Sequence, residues 1–142
     1  MKHPLVMMLC VVLLVSCSKN DPVRRCNYLL NVNVDLSINL NLPQYSQLQF
    51  TGNTVFIPNY GNAGIYISRI GNQFRAFDAA DPSHGQSSCS TLTNESGVGT
   101  CGCQDENQYS LLTGQPMRSN QPCGLKEYRV ESAGGNMLRI YN

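Results

Sequence analysis

The chain is short of charge imbalance, of histidine and of helical patterning, and after residue 15 it has no further long hydrophobic run. Each shortage excludes a class of function. A helix that crosses a bilayer needs about 20 apolar residues, so nothing beyond the N-terminal stretch spans as a helix. Ten basic side chains, of which Lys2 falls in the leader, stand against nine acidic ones. The near-neutral remainder carries no electrostatic footprint for nucleic acid. No window shows apolar residues at a 3.6 period with caps, which argues against a helical domain. No nucleophile stands with a base in a recognisable pattern, so the sequence does not read as an enzyme.

What is present begins with the leader. Met1-Lys2-His3-Pro4 precedes an apolar run from Leu5 to Val15, and Ser16-Cys17 closes it. A positive start, about a dozen apolar residues and a small residue before the cut form a secretory signal. Leu14-Val15-Ser16-Cys17 resembles the bacterial lipobox, which implies cleavage after residue 16 and acylation of Cys17. The expected partner of Cys17 is therefore membrane lipid, and the expected location is the bacterial cell envelope. Ser18-Lys19 follows Cys17 in place of an inner-membrane-retaining Asp, which favours the outer membrane. Residues 17–30 read as a lipidated tether and residues 31–142 as one folded domain. Beyond Cys17 the mature part has Cys26, Cys89, Cys101, Cys103 and Cys123. An oxidising compartment favours disulfides among them, and an odd number leaves at least one thiol over.

The cleanest pattern in the domain is an alternation. Val32, Val34, Leu36, Ile38, Leu40 and Leu42 interleave with Asn31, Asn33, Asp35, Ser37, Asn39 and Asn41. Period two over this length predicts a strand with one buried face, closed by Pro43. Shorter strands are predicted at 54–57, 65–70, 74–78, 109–112, 127–131 and 137–141. Gly71-Asn72 and residues 133–136 suit tight hairpin links. The expected class is all-β, a small antiparallel sandwich or barrel. Between Ala79 and Asn107 the periodicity vanishes, and the stretch reads as irregular, functional or cross-linked.

Phe74-Arg75-Ala76-Phe77-Asp78-Ala79-Ala80, a polar loop, Cys101-Gly102-Cys103 and then Tyr109-Ser110-Leu111-Leu112-Thr113-Gly114-Gln115-Pro116 resemble a Rieske iron–sulfur domain. Leu125 to Val130 and Leu138 to Asn142 continue the likeness, which runs from about Val55 to the C-terminus. The resemblance implies two cluster-binding loops within residues 79–107. A Rieske cluster is held by two Cys on one iron and two His on the other. Asp81 takes the first Cys position, and His84 lies one residue beyond the first His position. Cys101 fits the second ligand Cys, while Gln104 or Asp105 stands where the second His belongs. With His3 removed with the leader, His84 is the single histidine, too few for the two-His iron. The likeness further implies an inter-loop disulfide joining Cys89 to Cys103. Cys26 and Cys123 flank the strand region and form a second candidate pair.

Export argues in the same direction. Folded cluster proteins leave by the twin-Arg route, but Arg24-Arg25 lies after Cys17 and the leader has no Arg pair. The expectation is a Rieske-like module in the envelope, structural or interacting with an unidentified envelope protein, with no conventional cofactor and no metal. The alternative is electron transfer by a [2Fe-2S] cluster on altered ligands. A third reading places Zn2+ on Cys89, Cys101, Cys103 and His84. Taken alone, His84 reads as a solvated loop residue, and Asp81, Asp105 and Glu106 read as solvated charges.

Overall fold

The computed structural model describes residues 26–121 and 123–142. The leader, Cys17 and the first part of the tether lie outside the described residues. The described residues are all-β apart from one 3-10 helix. Two antiparallel sheets carry the fold. The larger has strand order β1-β9-β8-β4-β3-β2, and the smaller has order β5-β6-β7. The larger comprises β1 (Asp35–Asn39), β2 (Thr54–Ile57), β3 (Ile65–Ile70), β4 (Gln73–Asp78), β8 (Glu127–Ser132) and β9 (Met137–Tyr141). The smaller comprises β5 (Leu92–Glu95), β6 (Val98–Cys101) and β7 (Gln108–Ser110).

The long alternation makes a shorter strand than its pattern predicts. Only residues 35–39 are laddered, against β9, with Asp35 opposite Tyr141 and Asn39 opposite Met137. Burial still alternates on the N-terminal side, where Val34 is core. There the Asn142 side chain replaces the ladder, accepting from the Val34 amide at 2.8 Å and donating to the Val32 carbonyl at 2.9 Å. On the other side the partner runs out. The Leu40 amide reaches the Asn136 carbonyl in the β8–β9 link, and Asn39 Oδ1 then takes the Asn41 amide. That Asx bond turns the chain into the 3-10 helix Pro43–Gln49, which has Pro at its start and buries Leu48. Alternation marks a face, and a strand also needs a partner of equal length.

The hairpin β3–β4 is the centre of the molecule. Ile65, Ile67 and Ala76 point into one core cluster with Leu36, Ile38, Leu48, Tyr128, Leu138 and Ile140. Tyr66 and Phe77, opposite each other in the register, point into a second cluster with Leu92, Cys101, Tyr109 and Leu111. Residues 65–68 are therefore buried on both faces. Ser68 can stand there because its hydroxyl donates to the Leu111 carbonyl at 2.7 Å.

The stretch 79–107 is not irregular throughout, which corrects the expectation from its composition. It contains the β5–β6 hairpin, whose two-residue link Ser96-Gly97 has both φ angles positive, 52° and 84°. That is the primed turn that matches strand twist. The signal was masked because Thr93, Asn94 and Glu95 are exposed and only Leu92 of that strand is core.

A disulfide joins Cys26 to Cys123, across 97 positions of sequence. It ties the start of the described chain to the segment before β8. The chain-entropy account values closure of a loop near 100 residues at about 4.7 kcal/mol, with measured losses commonly 2–5. Replacing both cysteines by Ala is expected to lower the unfolding free energy measured in urea by about 2–5 kcal/mol, with a steeper slope because the unfolded chain is freed to expand. An unfolding free energy within experimental error of wild type would show that the link adds nothing to stability.

Candidate metal centre

The smaller sheet holds two loops side by side. The first leaves β4 through Ala79 and returns to β5. It is closed by the Asp81 amide on the Ser90 carbonyl at 2.9 Å and the Leu92 amide on the Ala79 carbonyl at 2.7 Å. The second runs from β6 to β7 and is closed by the Cys101 amide on the Asn107 carbonyl at 2.9 Å. The Gly102 amide donates to the Cys89 carbonyl at 2.9 Å, and the Cys89–Cys103 disulfide locks the loops together. Both pairings anticipated for the cysteines are present. They leave Cys101 as the one free thiol among the described residues, and it is buried.

With Cys89 and Cys103 oxidised to a disulfide, the three-thiolate zinc set cannot form. What the loops bring together instead is Asp81, His84, Cys101 and Asp105, with one donor atom of each within 4.8 Å of all the others. The distances converge on one nitrogen. His84 Nε2 lies 3.3 Å from Asp81 Oδ2, 3.3 Å from Cys101 Sγ and 3.6 Å from Asp105 Oδ2. Asp105 thus joins the group, while Gln104 is exposed. Glu106 is exposed, as expected for a solvated charge.

Two of the sequence expectations need correction here. His84 is not a freely solvated loop residue, because its ring is flanked by Asp81, Cys101 and Asp105, with 27 % of the side chain exposed. Asp81 is not a solvated charge either, because it is fully buried. A buried carboxylate must be compensated by hydrogen bonds or a counter-charge. Tyr109 donates its hydroxyl to Asp81 Oδ1 at 2.6 Å, and the Ser83 amide donates to the same oxygen at 2.8 Å. Asn107 Nδ2 donates to Asp81 Oδ2 at 3.1 Å and to Asp105 Oδ2 at 2.6 Å, bridging the two carboxylates. Burial is the largest single influence on the Asp81 carboxyl and opposes its ionisation. The hydrogen bonds from Tyr109, Ser83, Asn107 and Cys101 together outweigh it and hold the group below the usual carboxylate range. Burial first, then the two neighbouring carboxylates, push the Cys101 thiol up to about 12 against a bond from the Cys103 backbone.

Tyr109, Asn107 and Ser83 were not legible as site residues. Tyr109 reads as one more inward aromatic of a strand, and only the fold shows that its hydroxyl meets a carboxylate in another loop.

The donor chemistry does not fit a conventional Rieske cluster. The four positions offer one sulfur, one imidazole and two carboxylates, whereas the cluster takes two thiolates and two imidazoles. The framework does match what the resemblance implied: two adjoining loops, a disulfide between them, and the ligand positions facing each other. The fold is Rieske-like. No protein-family model and no curated protein matches the chain. Solved structures with a similar fold include the complex of reduced oxygenase and oxidised ferredoxin in carbazole 1,9a-dioxygenase. That match has 23 % identity over 75 % of this chain and 92 % of the other, at a TM-score of 0.49. A putative NADH-dependent nitrite reductase small subunit from Mycobacterium tuberculosis is 14 % identical over 79 % and 97 %, at 0.46. The ferredoxin of carbazole 1,9a-dioxygenase from Nocardioides aromaticivorans is 17 % identical over 66 % and 90 %, at 0.42.

Removing the Tyr109 hydroxyl tests the support of Asp81. A hydrogen bond to a charged group contributes about 1.5–3 kcal/mol, so Tyr109→Phe is expected to destabilise by that amount at pH 7. The Asp81 carboxyl titrates lower in the folded than in the unfolded protein, so its contribution is present above the unfolded value near 4. It is lost as pH falls through the folded value. The gap between wild type and Tyr109→Phe should therefore narrow below pH 4 in urea titrations. A gap that is constant with pH would mean the hydroxyl does not act through the carboxylate.

Proposed function

We propose that this chain is a lipid-anchored envelope protein whose Rieske-like domain serves as a disulfide-braced structural or interaction module, without a conventional [2Fe-2S] cluster. The observation that carries the reading is the fate of the cluster positions. Asp81 replaces a thiolate with a buried, hydrogen-bonded carboxylate, and Cys89 and Cys103 are joined to each other, which leaves Cys101 as the single free thiol of the two loops. A hard oxygen donor is a poor ligand for a cluster that selects soft sulfur. Two disulfides in a domain of this size suit an oxidising compartment, which supports export. The leader and Cys17 support lipid attachment, with the outer membrane favoured by Ser18-Lys19. Several acyl chains make such attachment effectively permanent, at about 0.8 kcal/mol per buried methylene.

The second reading is electron transfer through a cluster on altered ligands. The approach of His84 to Cys101 at the expected loop positions favours it. Iron distinguishes the two. Protein expressed with its own leader and isolated without air is expected to be colourless, with iron far below one atom per chain. Near-stoichiometric iron with a two-iron paramagnetic signal on reduction would transfer the case to the electron-transfer reading.

The anchor has a separate test. Metabolic labelling with a fatty-acid analogue is expected to mark the wild-type chain and not Cys17→Ala. Equal labelling of both would remove the lipid from the proposal.

A further inference from the structure

The four donors that cannot hold a Rieske cluster have the arrangement of a mononuclear site. Three ligands surround His84 Nε2 at 3.3, 3.3 and 3.6 Å, from Asp81, Cys101 and Asp105 respectively. A tetrahedral zinc ion with bonds of about 2.0–2.1 Å to nitrogen and oxygen and about 2.3 Å to sulfur separates its ligand atoms by roughly 3.3–3.6 Å. The distances that meet at Nε2 are those of three edges sharing one corner of such a tetrahedron. The remaining edges, all within 4.8 Å, close by loop adjustment of an ångström or so.

We propose that Asp81, His84, Cys101 and Asp105 bind a single borderline divalent cation, Zn2+, in the place between the two loops. The surroundings orient each ligand for that task. The Nδ1 atom of His84 faces the Gly85 carbonyl at 3.4 Å, which leaves Nε2 to present its lone pair. Tyr109 and the Ser83 amide occupy Oδ1 of Asp81, and the opposite oxygen faces the imidazole. The Asn107 amide holds the two carboxylates beside each other, an arrangement of like charges that a dication relieves. One thiolate and one imidazole favour Zn2+ over the oxygen-seeking Ca2+ and Mg2+. A surface cleft lined by His84, Cys89, Gly102, Cys103, Gln104 and Asp105 provides the entry path. Binding releases the Cys101 proton to solvent and forms the metal–sulfur bond, with no change of oxidation state.

The site goes beyond the proposed module and does not depend on its anchor, since a zinc-free domain would still be an anchored, cross-linked module. The test uses the mature chain with both disulfides intact, first stripped with chelator and then titrated with Co2+ and with Zn2+. The expected result is one ion per chain, Co2+ absorption including a sulfur-to-metal charge-transfer band, and displacement of that spectrum by Zn2+. Cys101→Ser is expected to abolish the charge-transfer band, and His84→Ala and Asp81→Asn to weaken binding at least tenfold. Glu95→Gln, at an exposed position of β5 away from the donor set and the cleft, is expected to bind as wild type does. Should Asp81→Asn fail to fold, the His84 and Cys101 variants and a Zn2+-dependent rise in wild-type melting temperature still decide the matter. Absence of saturable binding by the wild type would overturn the proposal, as would a charge-transfer band that survives in Cys101→Ser. A two-iron paramagnetic signal from protein isolated without air would overturn both this site and the cluster-free module. Iron-free protein that takes up no Zn2+ on titration would overturn this site alone.

Discussion

The arrangement turns on two buried carboxylates three residues apart, each held by a tyrosine from a different strand. Asp78, at the end of β4, accepts from the Tyr128 hydroxyl at 2.6 Å, and Asp81 accepts from the Tyr109 hydroxyl at 2.6 Å. Both aspartates are fully buried. Asp78 also takes the Asn62 amide and side chain at 2.8 Å each, the Ala63 amide at 3.3 Å and the Ala80 amide at 3.0 Å. It thereby joins the β2–β3 connection, β8 and the start of the first site loop. A carboxylate in the interior is costly when unpaired, so each of these bonds is needed to keep its neighbour in place. The chain cannot leave β4 in another direction without exposing one of the two aspartates to an unpaired interior.

That constraint sets where the second sheet goes. With Ala80 bridged to Thr91 and the Leu92 amide on Ala79, β5 starts where β4 stops and lies over the outer face of β3–β4. The face is apolar where it must be, with Tyr66 and Phe77 against Leu92, Tyr109 and Leu111. The site loops project from the end of this second layer. Their ligand positions are fixed at the base by core packing and at the tip by Cys89–Cys103. Gly114, next to Thr113 in the Rieske-like stretch, shows how close that packing is. Its φ is +73°, and a Cβ there would meet the Phe77 ring at 2.4 Å, so neither backbone nor space admits a side chain.

How much of this the sequence disclosed depended on whether a signal was local. The strands at 54–57, 65–70 and 137–141 follow from short apolar runs bounded by turn residues, and their bounds agree with the structure. Alternation overstates the first strand because it reports burial, which does continue, while the ladder depends on the length of β9. The hairpin at 92–101 leaves no such signal because its exposed residues are polar and its turn is Ser-Gly rather than Asn-Gly. In the site, the positions of Asp81, His84, Cys101 and Asp105 were legible by likeness to the Rieske loops, but their convergence was not. No sequence pattern states that Asn107 bridges two carboxylates, or that Tyr109 reaches across 28 residues to Asp81.

The disulfide and the donor set explain each other physically. Two loops that lie side by side need bonds between them, and in a Rieske domain the cluster ligands supply some of them. Here Cys89–Cys103 supplies a covalent tie at the rim, and Tyr109, Ser83 and Asn107 satisfy the acceptors beneath it. Cys101 remains in the interior beside His84, its thiol disfavoured as an anion by burial and by two carboxylates. A replacement that only filled space would have no use for a half-buried imidazole, a thiol and two carboxylates at hydrogen-bonding separations. Apolar residues of similar volume would pack there without the desolvation cost that polar groups bring. Four side chains with metal-binding atoms around one point, on loops already braced by a disulfide, are what an ion requires and what stability alone does not.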